Sequence, residues 1–184
     1  MYKTLAGQPA ADRIFVEMQQ ILYFAYGSNM LTKRLQRRTP SAKPVGIGYL
    51  KAHQLRWHKK SQDGSGKCDI FFTGDQDHLV NGVLFEISRS EKKRLDSVEG
   101  LNHGYDEKTV EIITSSGLVS AVTYFATAID ERVRPYEWYQ RYVVEGAIEH
   151  GLPEHCVQEL KAVEAMEDPD PERAQRETRI FEGN

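Results

Sequence analysis

At 184 residues, 40% of them hydrophobic and 28% charged, the chain is long enough to bury a sizeable core as one domain. A net charge of −3 argues against a general nucleic-acid binder, and no apolar run approaches the ~20 residues that span a bilayer. Two cysteines far apart in sequence, Cys68 and Cys156, and an N-terminus without an apolar signal stretch lead us to expect a reduced, cytoplasmic protein.

Residues 1–20 show no period and are expected to form a tail or an added element, with Met18 a candidate start. Residues 21–26 form an apolar β-type run, and a helical pattern carried by Met30, Leu31 and Leu35 reaches about Arg38, where Thr39-Pro40 stops it. Residues 45–58 alternate as one strand, with Ile47, Tyr49, Leu55 and Trp57 on one side and Leu50, Ala52 and Arg56 on the other. A polar, glycine-containing loop over 59–67 precedes strands at 68–73 and 79–87. The pair Ser88 and Glu91 has capping-box spacing and predicts a helix from about Arg89. Strands at 108–114 and 118–126 flank the turn Ser115-Ser116-Gly117. Pro135 suits the first turn of a helix that runs to about His150, and Pro153 opens another with Val157, Leu160 and Val163 on one stripe. The charged, proline-containing residues 168–184 read as a loosely held tail, which leaves 21–167 as the single domain. About six strands interrupted by single helices indicate an α+β fold.

The junction Tyr26-Gly27-Ser28-Asn29 carries the most chemistry. An abrupt strand-turn-helix passage gathers backbone N–H groups and the positive helix end at one spot, which suits a carboxylate, a phosphate or a developing oxyanion. Gly27 allows close approach of a ligand, and Ser28 or Asn29 can cap the helix. The same pattern also describes an ordinary strand-to-helix turn. Lys33, Arg34, Arg37 and Arg38 are expected on a solvated helix face. Glu99 shares a helix face with Leu95 and precedes Gly100, a natural C′ residue. Burial on that face, and the negative helix end, would both disfavour its anion, which suits a proton shuttle. Tyr136, Tyr139, Val143 and Ala147 form a stripe, and Tyr105 lies a few residues beyond Glu99. For Tyr105 and Tyr136, core filling and pocket lining stay equally open.

The run Tyr23 to Leu31, read as YFAYGSNML, closely resembles the signature of the γ-glutamylcyclotransferase family, which includes the AIG2-like proteins. Leu95-Asp96-Ser97-Val98-Glu99-Gly100 resembles the family segment that holds its catalytic glutamate, and Gly151-Leu152-Pro153 with Leu160-Lys161-Ala162-Val163-Glu164 resembles the C-terminal helical region of the animal enzymes. These segments occur in family order from about residue 21 to about residue 165. The resemblance implies a small mixed-strand barrel with helices packed around it. It also implies cleavage of a γ-glutamyl amide by its own α-amine, releasing 5-oxoproline and an amino acid or amine, within glutathione metabolism. Glu99 is the implied catalytic residue. The substrate-binding residues implied are Tyr23, Phe24, Ala25, Tyr26, Gly27, Ser28 and Tyr139. The attacking amine belongs to the substrate, so no cofactor or metal is expected. The implied partner is a small γ-glutamyl molecule rather than a nucleic acid or membrane. The animal members also imply a homodimer.

Other chemistries lack their spacing. The six histidines include no HExxH, Ser28 is not in G-x-S-x-G, and no Walker or Rossmann glycine pattern occurs. Cys68 reads as a buried structural thiol. Two alternatives stay open: cyclisation of a γ-glutamylated amine or biosynthetic intermediate, and a non-catalytic binding protein of the same fold.

Overall fold

Strand order is not sequence order in this protein, and that reordering builds the site. The structure, a computed structural model, describes residues 19–101 and 103–182. Its strands are β1 (Gln20–Ala25), β2 (Lys43–Lys51), β3 (His53–Lys60), β4 (Gly66–Phe72), β5 (Leu79–Ser88), β6 (Tyr105–Thr114) and β7 (Gly117–Ala126). Its helices are α1 (Thr32–Arg38), α2 (Lys92–Glu99), α3 (Glu137–Glu149), α4 (Glu154–Ala162) and α5 (Pro171–Thr178). The strands close a barrel in the order β1-β5-β2-β6-β7, while β3 and β4 form a separate two-stranded sheet. Barrel neighbours are antiparallel except β1 and β7, which run parallel where Tyr23 faces Val122. The expected α+β class and mixed barrel are therefore what the chain adopts.

Burial of Phe24, Val83, Phe85 and Ile112, none of them exposed, fills the barrel core. Four such side chains bury apolar surface worth roughly 1.5–3 kcal/mol apiece. Helix α3 buries Tyr139, Tyr142, Val143 and Ala147 against the barrel side of the molecule. It presses on the turn after β1 at Gly146, where a Cβ would sit 2.5 Å from the Leu31 amide nitrogen. Only glycine permits that approach.

Three expectations need correction. The single strand over 45–58 is two strands, broken at Ala52, which adopts φ 60°. That left-handed residue is held because its carbonyl accepts hydrogen bonds from the amides of Thr73 and Gly74 at 2.9 and 3.3 Å. The break sends β3 out of the barrel. The capping box also does not form. Ser88 caps no helix with its side chain, and Glu91 instead accepts from the Ser41 amide at 3.0 Å. A 3-10 turn over Arg89–Glu91 leads into α2.

The third correction concerns the C-terminus. Residues 171–181 form α5 and a 3-10 turn rather than a loosely held tail. Asp170 caps α5 by accepting from the Arg173 amide at 3.0 Å. Asp168 accepts from the Trp138 indole N–H at 2.7 Å, and Ile180 is 3% exposed. The composition is polar because one face of this segment is solvated, yet a single buried isoleucine and paired charges dock it on α3. Residues 1–18, most of the expected N-terminal tail, lie outside the described residues.

Candidate active site

Two segments far apart in sequence meet at one site: the turn that follows β1 and the last residue of α2. After Ala25 the backbone passes through Tyr26 and Gly27 into a 3-10 turn over Ser28–Met30, and α1 begins only at Thr32. Ser28 and Asn29 therefore do not cap α1, contrary to expectation, and Leu31 occupies that position without a side-chain cap. Their side chains are used elsewhere. Ser28 Oγ accepts from Arg34 Nε at 3.2 Å, and Asn29 Nδ2 donates to Tyr23 Oη and to Glu99 Oε1, each at 2.9 Å. The amides of Gly27, Ser28 and Asn29 have no acceptor among the described residues.

Gly27 has φ −122°, open to any residue, so its need for glycine is one of space. A Cβ there would lie 3.0 Å from Cys68 Cβ and 3.4 Å from the Tyr139 hydroxyl. The hairpin of β3 and β4 thus closes down on the turn.

Glu99 ends α2. Gly100 takes φ 71°, its amide reaches the Ser97 carbonyl at 3.3 Å, and the Leu101 amide reaches Asp96 at 2.9 Å. This glycine-terminated cap is the one the sequence indicated, and it fixes the direction of Glu99. The carboxylate is 14% exposed and ion-paired to Arg38 at 2.7 Å through Oε1, the oxygen that also takes Asn29. Oε2 has no partner in the described residues and is not sealed from solvent. Glu99, expected to be held out of water on the face of Leu95, is thus a charge-compensated acid. Val98, next to Glu99 in the chain, is 47% exposed, so the buried face of α2 is narrow.

These groups border a small cleft, of about 30 Å³. Of the residues singled out in the sequence, Tyr23, Tyr26, Gly27, Ser28, Glu99 and Tyr139 line it. Phe24 and Ala25 do not. Phe24 is fully buried and lies against Gly82, where its ring would meet an added Cβ at 2.7 Å, and Ala25 is 1% exposed with its carbonyl on the same glycine. They support the turn through packing. Tyr105 lines the cleft, whereas Tyr136 donates to the Asp63 carbonyl at 2.8 Å outside it. The two open readings of that pair therefore divide.

The tyrosine wall is held by hydrogen bonds to backbone. Tyr139 Oη accepts from the Cys68 amide at 3.1 Å, Tyr105 donates to the Cys68 carbonyl at 2.7 Å, and Tyr26 donates to the Tyr124 carbonyl at 2.7 Å. Burial pushes the phenol pKa of Tyr23, Tyr26, Tyr105 and Tyr139 above the ordinary range, so they stay neutral. Burial likewise pushes the Cys68 thiol up to about 12, which removes it as a nucleophile.

Comparison with known proteins places this arrangement. The AIG2-like family model matches residues 79–160. The gamma-glutamylcyclotransferase of Homo sapiens is 32% identical over 165 residues, covering 87% of each chain, and that of Mus musculus is 32% identical over 164 residues, covering 82% of each. The chain belongs to the γ-glutamylcyclotransferase family. A solved structure titled gamma-glutamyl cyclotransferase superposes with a TM-score of 0.80 at 29% identity, over 90% of this chain and all of that one.

In this family member, sequence reasoning missed Arg38 and the true use of Asn29. The basic cluster was read as solvated, yet the Arg34 and Arg38 side chains are only 14% and 20% exposed. Arg34 pairs with Glu177 at 3.3 Å, and Arg38 donates to Asn29 Oδ1 at 2.8 Å as well as to Glu99. Their i,i+4 spacing beside Leu35 was the available signal, because it puts both on the flank of the buried stripe. Cys68 and Tyr124, which complete the wall, come from strands with no local cue to the cleft.

Proposed function

We propose that this chain catalyses the family reaction at this cleft, converting a γ-glutamyl amide to 5-oxoproline and a free amine. The substrate's α-ammonium gives a proton to Glu99 Oε2. The freed amine attacks the γ-carbonyl carbon, and a ring closes through a tetrahedral oxyanion. Glu99 passes that proton to the leaving nitrogen and takes a second one from the ring nitrogen, which attack has left as a cationic NH2. Collapse breaks the bond to the leaving nitrogen, and Glu99 returns the second proton to the departing amine, which leaves as an ammonium. Electron pairs and protons balance without any other reactant.

Each part has a matching group. Oε1 is saturated by Asn29 and Arg38, which orients the carboxylate and leaves Oε2 to carry the proton. The unpaired amides of Gly27, Ser28 and Asn29 are donors for the glutamyl carboxylate or the oxyanion. Tyr23, Tyr26 and Tyr139 restrict the glutamyl arm. Holding amine and carbonyl in ring-closing geometry can supply effective molarities of ~10⁵ M or more. The observation that carries this reading is the open carboxylate oxygen and the open turn amides lining one cleft.

Two free, buried cysteines fit a reducing compartment, and we place the reaction in the cytoplasm on that ground. Incubation with a panel of γ-glutamyl dipeptides and γ-glutamyl amines, with 5-oxoproline measured by chromatography, tests the activity. Release from at least one panel member is expected. Tight binding of these compounds by calorimetry with no 5-oxoproline released would establish the binding-protein alternative instead.

A further inference from the structure

The leaving group lies beyond the γ-carbonyl, so its recognition depends on what stands at the rim of the cleft rather than on the turn. The hairpin of β3 and β4 forms that rim. Lys59 and Lys67 are direct partners across it, which points both side chains to one face. Each ammonium lies over a cleft tyrosine: Lys67 Nζ is 4.5 Å from the Tyr139 ring centre and Lys59 Nζ is 4.8 Å from that of Tyr105. Like charges directly opposite one another are unfavourable in a strand pair.

Only one of the two is neutralised. Lys67 donates to Asp63 at 2.9 Å and to Ser65 Oγ at 2.6 Å. Arg38 has Glu99, Arg34 has Glu177, and Lys92 has Asp96 and Glu107. Lys59 has no carboxylate within ion-pair distance and no hydrogen-bond acceptor among the described residues. The two acids whose charge it feels, Glu99 and Asp63, are committed to Arg38 and Lys67. It is also half-buried, and a Cβ at Gly104 would touch its Nζ at 3.2 Å, so it is packed in place beside the Tyr105 wall.

We propose that Lys59 is the residue that receives the carboxylate of the leaving amino acid, and so carries any discrimination between γ-glutamyl amino acids and their uncharged counterparts. The inference rests on the cyclotransferase reading above. In a γ-glutamyl dipeptide the carboxylate sits on the carbon next to the leaving nitrogen. A γ-carbonyl held between the turn and Glu99 directs that carbon outward along the Tyr105 wall. There an anion would complete the ion pair that Lys59 lacks and relieve its opposition to Lys67. Burial pushes the Lys59 pKa down, against the pull of Glu99 and Asp63.

The test compares γ-glutamyl-L-alanine with γ-glutamyl-L-alaninamide, which differ only in the leaving-group charge, by 5-oxoproline release. The wild-type protein is expected to favour the acid in kcat/KM. Lys59→Met should lower the acid-to-amide ratio about tenfold, Lys59→Arg should preserve most of it, and added salt should lower it in the wild type. The ratio does not depend on the folded fraction, so instability of a variant does not obscure it. An equal fall for both substrates in Lys59→Met would overturn the assignment, because Lys59 would then serve the glutamyl half or the fold. An unchanged ratio overturns it as well. Absence of 5-oxoproline from either substrate and from the wider panel instead refutes the cyclotransferase reading beneath it.

Discussion

Replacing Glu99 by Gln removes the proton carrier while keeping nearly every contact. The Gln carbonyl oxygen can still accept from Asn29 and Arg38, the 2.9 and 2.7 Å bonds now made by Oε1. The change falls on Oε2, where an acceptor becomes an NH2 donor that cannot take a proton from an ammonium. Both members of the lost ion pair are largely buried, at 14% and 20% exposed. Arg38 keeps its bond to Asn29 Oδ1, so it is not stranded. A charge-assisted bond becoming a neutral one costs about 1 kcal/mol, which for a chain of this size lowers Tm by about 2–4 °C. The rate should suffer far more, with kcat falling roughly 10²–10⁴-fold and substrate affinity by calorimetry held within about tenfold. Release of 5-oxoproline under saturating γ-glutamyl-alanine measures the first quantity. A variant that turns over within about threefold of wild type would remove Glu99 from the mechanism.

Gly27→Val should damage fold and activity together, because its Cβ meets Cys68 Cβ at 3.0 Å. Overpacking of about 1–3 kcal/mol is expected in urea titration, with a rate loss beyond the loss of folded protein; melting that falls while the folded fraction works normally would mean the turn does not cradle substrate. Ile180→Ala should cost about 2–4 kcal/mol, since the side chain is 3% exposed at the end of the C-terminal segment. A loss under about 0.5 kcal/mol would show that the segment does not dock in solution. Asp63 gives a pH test. Burial alone would raise its pKa, but hydrogen bonding and charge from Lys67, with the Ser65 amide and hydroxyl, hold it at about 2 against an ordinary 3.8. A depressed acid contributes stability above its unfolded pKa and loses it as pH falls through the folded value. The difference in unfolding free energy between wild type and Asp63→Asn should therefore be constant above about pH 4 and shrink toward pH 2. A difference that is flat across that window would contradict the pairing.

Local chemistry was readable wherever the deciding neighbours are close in sequence. The strand into Gly27, the αL glycine after Glu99 and the stop at Thr39-Pro40 each depend on a few adjacent residues and appear where the sequence indicated. Of the site residues that the resemblance implied, Tyr23, Tyr26, Gly27, Ser28, Glu99 and Tyr139 line one cleft and Phe24 and Ala25 do not, and periodicity would have joined none of them. Ala52 ends a strand without a glycine or proline because its unusual φ is stabilised by amides from residues 73 and 74, after two further strands have intervened. Ser88 and Glu91 have capping-box spacing, but Ser41 competes for both and wins. Arg38 looks like one of several surface cations until the barrel brings α2 alongside α1 and sets Glu99 against it, 61 positions away. Lys59 and Lys67 become different residues for the same reason: Asp63 folds back to Lys67, and no carboxylate among the described residues pairs with Lys59. Helices, turns and caps follow from short-range sterics and hydrogen bonding. Which charges are paired, which amides stay open and which tail is docked depend on strand order and packing, and those exist only once the barrel has closed.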